Sequence, residues 1–370
     1  MTLEIAPVEG RRDRAAFIDL PHRLYAGCPA YVPRLRVQQE WQFSSKNPWF
    51  AHGEEASWLA RRDGRVVGRV SGFLHGGHVA YSGRREAFFG FLDAADDGEA
   101  VRALLGAVEA RARDRGCEAV LGPIEFSTND TCGLLTAGFD LPPAVMMPWN
   151  PGWLPPLVEA AGYAPAMALE AWEIPSPPAV VDALAAPLRA RLAARGITIR
   201  PIDFGRFDEE VAGLYPLYER IYGGNWGFMP LSRAEFEEQA RDLRRVSAPD
   251  LAVVAEVRGE RIGYAVALFD ANRVLATFRR GRLLPFNFLK LRRIPHAGRI
   301  RVLNLGVVPR YRRLGVDLLL YAEITDAARR HGAPSGEASY VMGNNRPMRR
   351  ALERMGAYVS KRYAIYRRGL

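Results

Sequence analysis

Lysine is almost missing from this 370-residue chain. Lys46, Lys290 and Lys361 are its lysines among 51 cations, so arginine carries nearly all of the positive charge. Cysteine is as scarce. Cys28, Cys117 and Cys132 are odd in number and lack metal-ligand spacing, which argues against a disulfide framework or a zinc ribbon and suits the reduced thiols of a cytoplasmic protein. No metal site is expected. No apolar run approaches the ~18 residues that span a bilayer, and the opening Met-Thr-Leu-Glu-Ile-Ala-Pro is not a signal peptide. Helix-turn-helix and zinc signatures are absent too, so no specific nucleic-acid partner is expected.

What is present suits two domains. A hydrophobic content of 48% over this length supplies a core for each. The net charge of +10 fits an anionic cofactor, an anionic membrane or nucleic acid, and equally a generally arginine-rich composition. Leu3 to Val8 reads as a strand, Arg14 to Tyr25 as a helix, and Arg36 to His52 as an aromatic loop over the domain. Trp58 to Phe73 is a hairpin turning at Asp63-Gly64. Glu99 to Arg115 has apolar residues at Val101, Leu104, Leu105 and Val108, the helical interval. Strands follow at Ala119–Ile124 and Ala164–Ile174, with a short helix from Trp153 between them. Pro175-Ser-Pro-Pro178 is the linker candidate. Beyond it come a helix at Ala179–Arg195, a strand at Ile197–Ile202, a helix at Arg206–Tyr222 and a hairpin at Leu251–Phe269 that turns at Arg258-Gly259.

The halves repeat each other. Gly64-Arg-Val-Val-Gly68 parallels Gly259-Glu-Arg-Ile-Gly263, and the helix ending at Gly116 parallels one ending at Gly332. The reading is α+β: two tandem units, each a twisted mixed sheet flanked by helices. They differ where chemistry would occur. In the first, strand Phe88–Leu92 runs into the acidic Asp93-Ala-Ala-Asp-Asp-Gly-Glu99, which repels an anion. In the second, Val302–Val308 is a buried-strand run that Pro309 stops. Arg310 to Gly315 is then a basic turn, and Leu318 onward a helix that Gly332 ends. Unpaired N–H groups and the positive end of the helix dipole meet two arginines and a glycine there, a pattern suited to pyrophosphate.

Arg312-Arg313-Leu314-Gly315-Val316-Asp317 resembles the Arg/Gln-x-x-Gly-x-Gly/Ala turn of the GNAT acyltransferase superfamily, and Leu305 to Pro309 resembles the strand before it. Glu337 to Tyr358 follows that family's next strand and Asn-initiated helix. The resemblance implies a degenerate unit at 1–175 without a phosphate turn, a linker and helix at 176–196, and a unit with the acyl-CoA site at 197–370. It implies that Leu305, Gly306, Val307, Arg312, Arg313, Leu314, Gly315, Val316, Asp317, Asn344 and Asn345 hold acyl-CoA, with a backbone N–H near Gly306 or Val307 on the thioester carbonyl. Asn304 stands where a base often lies and cannot act as one, which makes Glu337, working through a water, the nearest carboxylate candidate. Leu352 stands where the family often has a tyrosine acid, so Tyr340, Tyr358 or Tyr363 would replace it. Asp317 departs from the preferred Gly or Ala, as a helix-capping carboxylate that points away or as one that repels the cofactor. Asn225, Trp226 and Phe228 fall in the expected loop for the amine acceptor.

Arg279 to Arg293 mixes cations with Leu283, Leu284, Phe286, Phe288, Leu289 and Leu291. It reads as a segment lying on a membrane, at the inner face, or as a lid over the acyl pocket with Phe286 and Phe288 against substrate. The leading function is N-acyl transfer from acyl-CoA to an amine; the basic, apolar segment and the tandem layout bring in a lipid-like, sphingoid amine as one candidate, and the whole resembles ceramide-synthase-like GNAT proteins. Aminoacyl or peptidyl transfer from charged tRNA and a non-catalytic CoA sensor are the alternatives.

Overall fold

The computed structural model describes residues 2–175 and 179–370, so most of the linker candidate Pro175–Pro178 lies outside the described residues. The first half runs β1 (Leu3–Pro7), α1 (Gly10–Leu24), α2 (Arg36–Gln42), β2 (Gly53–Arg62), β3 (Arg65–His75), α3 (Gly76–Ser82), β4 (Glu86–Ala94), α4 (Gly98–Asp114), β5 (Ala119–Gly122), β6 (Leu134–Ala137), α5 (Leu154–Ala160) and β7 (Ala164–Ile174). The second runs α6 (Ala179–Ala193), β8 (Ile197–Pro201), α7 (Phe207–Tyr222), α8 (Arg233–Arg244), β9 (Ala252–Val257), β10 (Glu260–Phe269), α9 (Asn272–Leu275), β11 (Arg299–Val307), α10 (Val316–Arg330), β12 (Ser335–Met342), α11 (Arg346–Arg354) and β13 (Tyr358–Gly369). None of the described helices is long and apolar enough to cross a membrane.

The tandem repeat is plain in the pairing. β1 to β4 pair antiparallel in sequence order, and β4 pairs β5 parallel. β8 to β11 do the same, and β11 pairs β12 parallel. Both hairpins turn where expected. Asp63 and Gly64 have φ 47 and 77, and Arg258 and Gly259 have φ 50 and 81. Two successive positive φ values make the tight turn whose twist matches the strands.

By packing, the chain divides into two compact units. One comprises Met1–Leu169 with Leu275–Phe288 and Lys361–Leu370; the other comprises Glu170–Val274 with Leu289–Ser360. This division departs from a simple cut near residue 175. The strand set of the first unit is completed by the end of β13, where Tyr366 pairs Gly122 and Tyr363 pairs Leu135. The second takes in the end of β7 beside β12.

In the first unit α4 buries Val101, Leu104, Leu105 and Val108 against Phe89, Val120 and Tyr366. Each such side chain contributes about 1.5–3 kcal/mol on leaving water. Arg36–His52 is not the loop expected of it. It holds α2 and a 3-10 turn, because Trp49 is buried against Phe73 and Phe126 and its indole N–H donates to the Phe126 carbonyl at 3.1 Å. In the second unit α10 buries Val316, Leu319, Leu320, Ile324, Ala327 and Ala328, and α7 buries Val211, Leu214, Leu217 and Ile221.

Candidate active site

The parallel ladder of β11 and β12 is short. It runs from Arg299 opposite Ser335 to Val302 opposite Ala338. Both strands continue beyond that point, and β11 keeps its β10 partner, with Asn304 opposite Val266 and Gly306 opposite Tyr264. The register slips between Val266 and Ala267, which leaves Leu303 as the extra residue of a bulge. From Leu303 onward the β12 side of β11 therefore lacks a ladder partner among the described residues. The result is an opening lined by the backbone edge of Leu303–Val307.

Buried charge holds the apex of this opening. Arg301 is 2% exposed and Glu337 0%. Arg301 Nε donates to Ser339 Oγ at 2.9 Å, its terminal nitrogen donates to the Ser339 carbonyl at 2.9 Å, and Ser339 Oγ donates to Glu337 at 2.8 Å. Arg299 pairs with Asp270 at 2.9 Å, with Glu337 at 3.4 Å and with Glu173. Burial works against the Arg299 charge, but the carboxylates of Glu337, Glu173 and Asp270 outweigh it and raise its pKa. These bonds fasten β12 to β11 at the point where the ladder stops. They give Glu337 a structural task; it is enclosed and bonded rather than solvated.

At the far end of β11 lies the basic turn. Gly315, at φ 91, is the N-cap of α10 and offers no capping side chain. The N–H groups of the first turn are left for solvent or an anion, the arrangement that receives phosphate. Asp317 is exposed in that first turn and does not cap the helix. The expected capping role is thus corrected: the cap position is two residues earlier. Arg313, at φ 65, is exposed. Arg312 is occupied otherwise, with Nε donating to the Val307 carbonyl at 3.0 Å and a terminal nitrogen to the Ile221 carbonyl at 3.3 Å. It ties the end of α7 to the end of β11. Helix α6 adds a covering that composition did not reveal. Arg191 donates to the Leu314 carbonyl at 3.1 Å, and Leu188 lies so close to Gly315 that a Cβ there would meet it at 2.9 Å.

The remaining candidates are spread around this frame. Asn304, Leu305 and Gly306 are half-buried on β11, and Val307 is buried at its end. Leu314 is half-buried in the turn, and Val316 is wholly in the core. Asn345 caps α11 by accepting from Met348 N at 3.3 Å, beside an exposed Asn344. Leu352 is 1% exposed, and Tyr358 is 55% exposed at the start of β13. Asn225 is exposed and Trp226 half-buried in the loop after α7, whereas Phe228 is buried with Tyr218 and Leu231 and anchors that loop. Phe286 and Phe288 are 73% and 46% exposed, so they do not form a closed lid.

The first unit closes the corresponding opening. Past the β4/β5 pairing, Ile124 N donates to the Phe89 carbonyl at 2.7 Å. The Ile124 carbonyl lies 2.6 Å from where a Gly90 Cβ would be, so backbone fills the space. At the start of α4, Asp97 caps Ala100 N at 3.0 Å and is itself held by Arg62 at 2.7 and 2.9 Å. An anion has no free helix end there.

Residues 211–357 match the Acetyltransferase (GNAT) family. Over 366 residues, covering 96% of this chain and 93% of the other, the sequence is 31% identical to Protein YghO of Escherichia coli K12. It is 31% identical over 377 residues to a bacterial ceramide synthase of Caulobacter vibrioides, with 100% and 98% of the two chains covered. Among solved structures, a tandem GNAT protein from the clavulanic acid biosynthesis pathway superposes over 100% of this chain and 98% of its own, with a TM-score of 0.59 and 15% identity. That likeness is one of fold; by the family match taken with these relatives the chain belongs to the GNAT acetyltransferase family, and its fold is that of a tandem GNAT protein.

Proposed function

We propose that this protein transfers an acyl chain from a CoA thioester to the amine of a sphingoid-like lipid. The observation that carries the donor half is the pairing of an open β11 edge with an uncapped α10 in the second unit, while the first unit has both places filled. In this reading the pantetheine arm lies along Leu303–Val307, and backbone N–H groups near Gly306 polarise the thioester carbonyl. The first turn of α10 and Arg313 take the pyrophosphate. Asn345 fixes the start of the neighbouring helix. The tandem division of the sequence, with a donor-free first unit, is part of the same proposal. The lipid amine is favoured by kinship with a protein named as a bacterial ceramide synthase over nearly its whole length. It is also favoured by the exposed Leu284, Phe286 and Phe288 among cations, which suit contact with a membrane surface.

The test is a donor-and-acceptor screen on the full chain: acetyl- to long-chain acyl-CoA against sphinganine, soluble amines and charged tRNA. Release of free thiol with formation of N-acylsphinganine, identified by mass spectrometry, is the expected result. Consumption of charged tRNA instead, or CoA binding without any transfer, would replace this reading. Arg313→Glu is expected to weaken CoA binding by about tenfold or more, the loss of a charge-assisted contact, as read by calorimetry.

A further inference from the structure

We propose that the hydroxyl of Tyr222, at the end of α7, is the group that gives a proton to the departing thiolate; this rests on the acyl-CoA reading above. The position of this side chain relative to β11 is the first ground. A Cβ placed on Gly306 would lie 3.1 Å from Tyr222 Oη and 2.3 Å from Ile221 Cγ2. Glycine is therefore needed at 306 for α7 to approach, and the space over that residue belongs to the tyrosine hydroxyl. Gly306 is on the part of β11 whose other edge is open.

The second ground is that Tyr222 Oη is buried, with the Tyr264 hydroxyl as the polar neighbour that acts on it. A hydroxyl with one such neighbour keeps capacity for a second hydrogen bond to a ligand. Its ring meets that of Tyr264, the residue opposite Gly306 on β10, edge to face at 6.1 Å, so its position is fixed by packing. Burial pushes the Tyr222 phenol well up, more than the neighbouring Tyr264 hydroxyl draws it down. The group thus stays protonated before reaction, and because burial does not strengthen it as an acid, its role rests on its position over Gly306.

Other hydroxyls and acids around the opening are placed less well. Tyr358 faces solvent, and Tyr340 stacks on Arg301 with 5.6 Å between guanidinium carbon and ring centre. Glu337 is bonded to Ser339 and Arg299. The step balances without a further reagent. The amine nitrogen forms a bond to the thioester carbonyl carbon, and the carbon–sulfur bond breaks. Sulfur takes the Tyr222 proton and leaves as a thiol. The proton shed by nitrogen returns to the phenolate through water, giving amide and free thiol.

The experiment uses full-length protein labelled with ¹³C at the tyrosine ζ-carbon. The Tyr222 signal is identified by its loss in Tyr222→Phe, a change that removes only the hydroxyl and keeps the ring's packing, so the melting temperature should stay close to that of the parent. Free CoA, added to saturation as followed by calorimetry, is expected to shift that signal. Tyr222→Phe is expected to keep CoA affinity and KM while kcat for transfer from acetyl-CoA falls about 100-fold, as for loss of a general acid. CoA that binds and leaves the signal unmoved, or a phenylalanine variant with undiminished kcat, would overturn the role of Tyr222 alone. A wild-type chain that does not bind CoA would overturn the acyl-CoA reading, and this inference with it.

Discussion

Arg312 and Arg313 are adjacent residues of one type with different tasks. Arg312 spends its guanidinium on two backbone carbonyls, while Arg313, with positive φ, stays exposed beside an uncapped helix. A sequence presents them as equal cations, because nothing local tells which side chain folds back. Asn345 is the opposite case: its capping bond depends only on the next three residues, and the start of that helix at an Asn was legible. His22 illustrates a residue whose behaviour is set first by its burial. Its Nδ1 lies 2.9 Å from the Tyr31 hydroxyl, and burial, followed by the nearby Arg69 charge, lowers its pKa from 6.5 to about 4. The unfolded chain therefore takes up a proton between about pH 6.5 and 4 that the folded chain refuses, so stability rises with pH across that window and is fully present above it. His22→Gln should flatten this part of the profile by up to about 3 kcal/mol. Urea denaturation at pH 7 and pH 4.5 measures it; parallel losses in both proteins would show that His22 does not drive the slope.

At the scale of elements, what is contiguous was readable. The strand, basic turn and helix of β11 and α10 lie where periodicity and Pro309 put them, and so do both hairpins. The opening between β11 and β12 was not readable from the residues themselves. It depends on where a parallel ladder stops and on a one-residue bulge at Leu303, and both are matters of register between strands over 30 residues apart in sequence. The closing strand of the first unit escaped for the same reason, since β13 pairs with β5 across more than 200 residues. That pairing predicts a strong dependence on the C-terminus. Lys361–Leu370 carries Tyr363, Ile365 and Tyr366, each about 1% exposed, and supplies the partners of Ala119–Gly122. Truncating one large buried side chain costs about 3–5 kcal/mol, so losing three exceeds the ~5–15 kcal/mol that holds a typical domain. A chain ending at Ser360 should lose its cooperative melting transition and be cut by protease within the first unit. An unchanged melting curve would mean that the strand only lies along the sheet without supporting it.

Over the whole molecule, the positive charge acquires a direction only when exposure is known. The basic, apolar segment following α9 allowed two readings in sequence, a membrane-lying stretch or a packed lid, because composition does not say which side faces water. The structure leaves Leu284 and Phe286 about three-quarters exposed, at 74% and 73%, with Arg280, Arg282, Arg292 and Arg293 exposed along the same segment. Single exposed apolar residues are ordinary, but several of them in one short basic stretch mark a surface that meets something. A lipid acceptor and a two-chain product would make a bilayer the natural partner. Each cation near an anionic bilayer contributes about 1 kcal/mol, and the aromatic rings add the gain of entering the acyl boundary. The full chain is therefore expected to float with anionic vesicles at low salt and to be released as salt screens the attraction. Phe286→Ser with Phe288→Ser should reduce flotation and change stability by only about 0.5 kcal/mol per site, as exposed positions do. A protein that stays with the soluble fraction at low salt, whatever the anionic lipid content, would remove the membrane from its function. A double variant that melts far earlier than the parent would instead return these rings to a packed role.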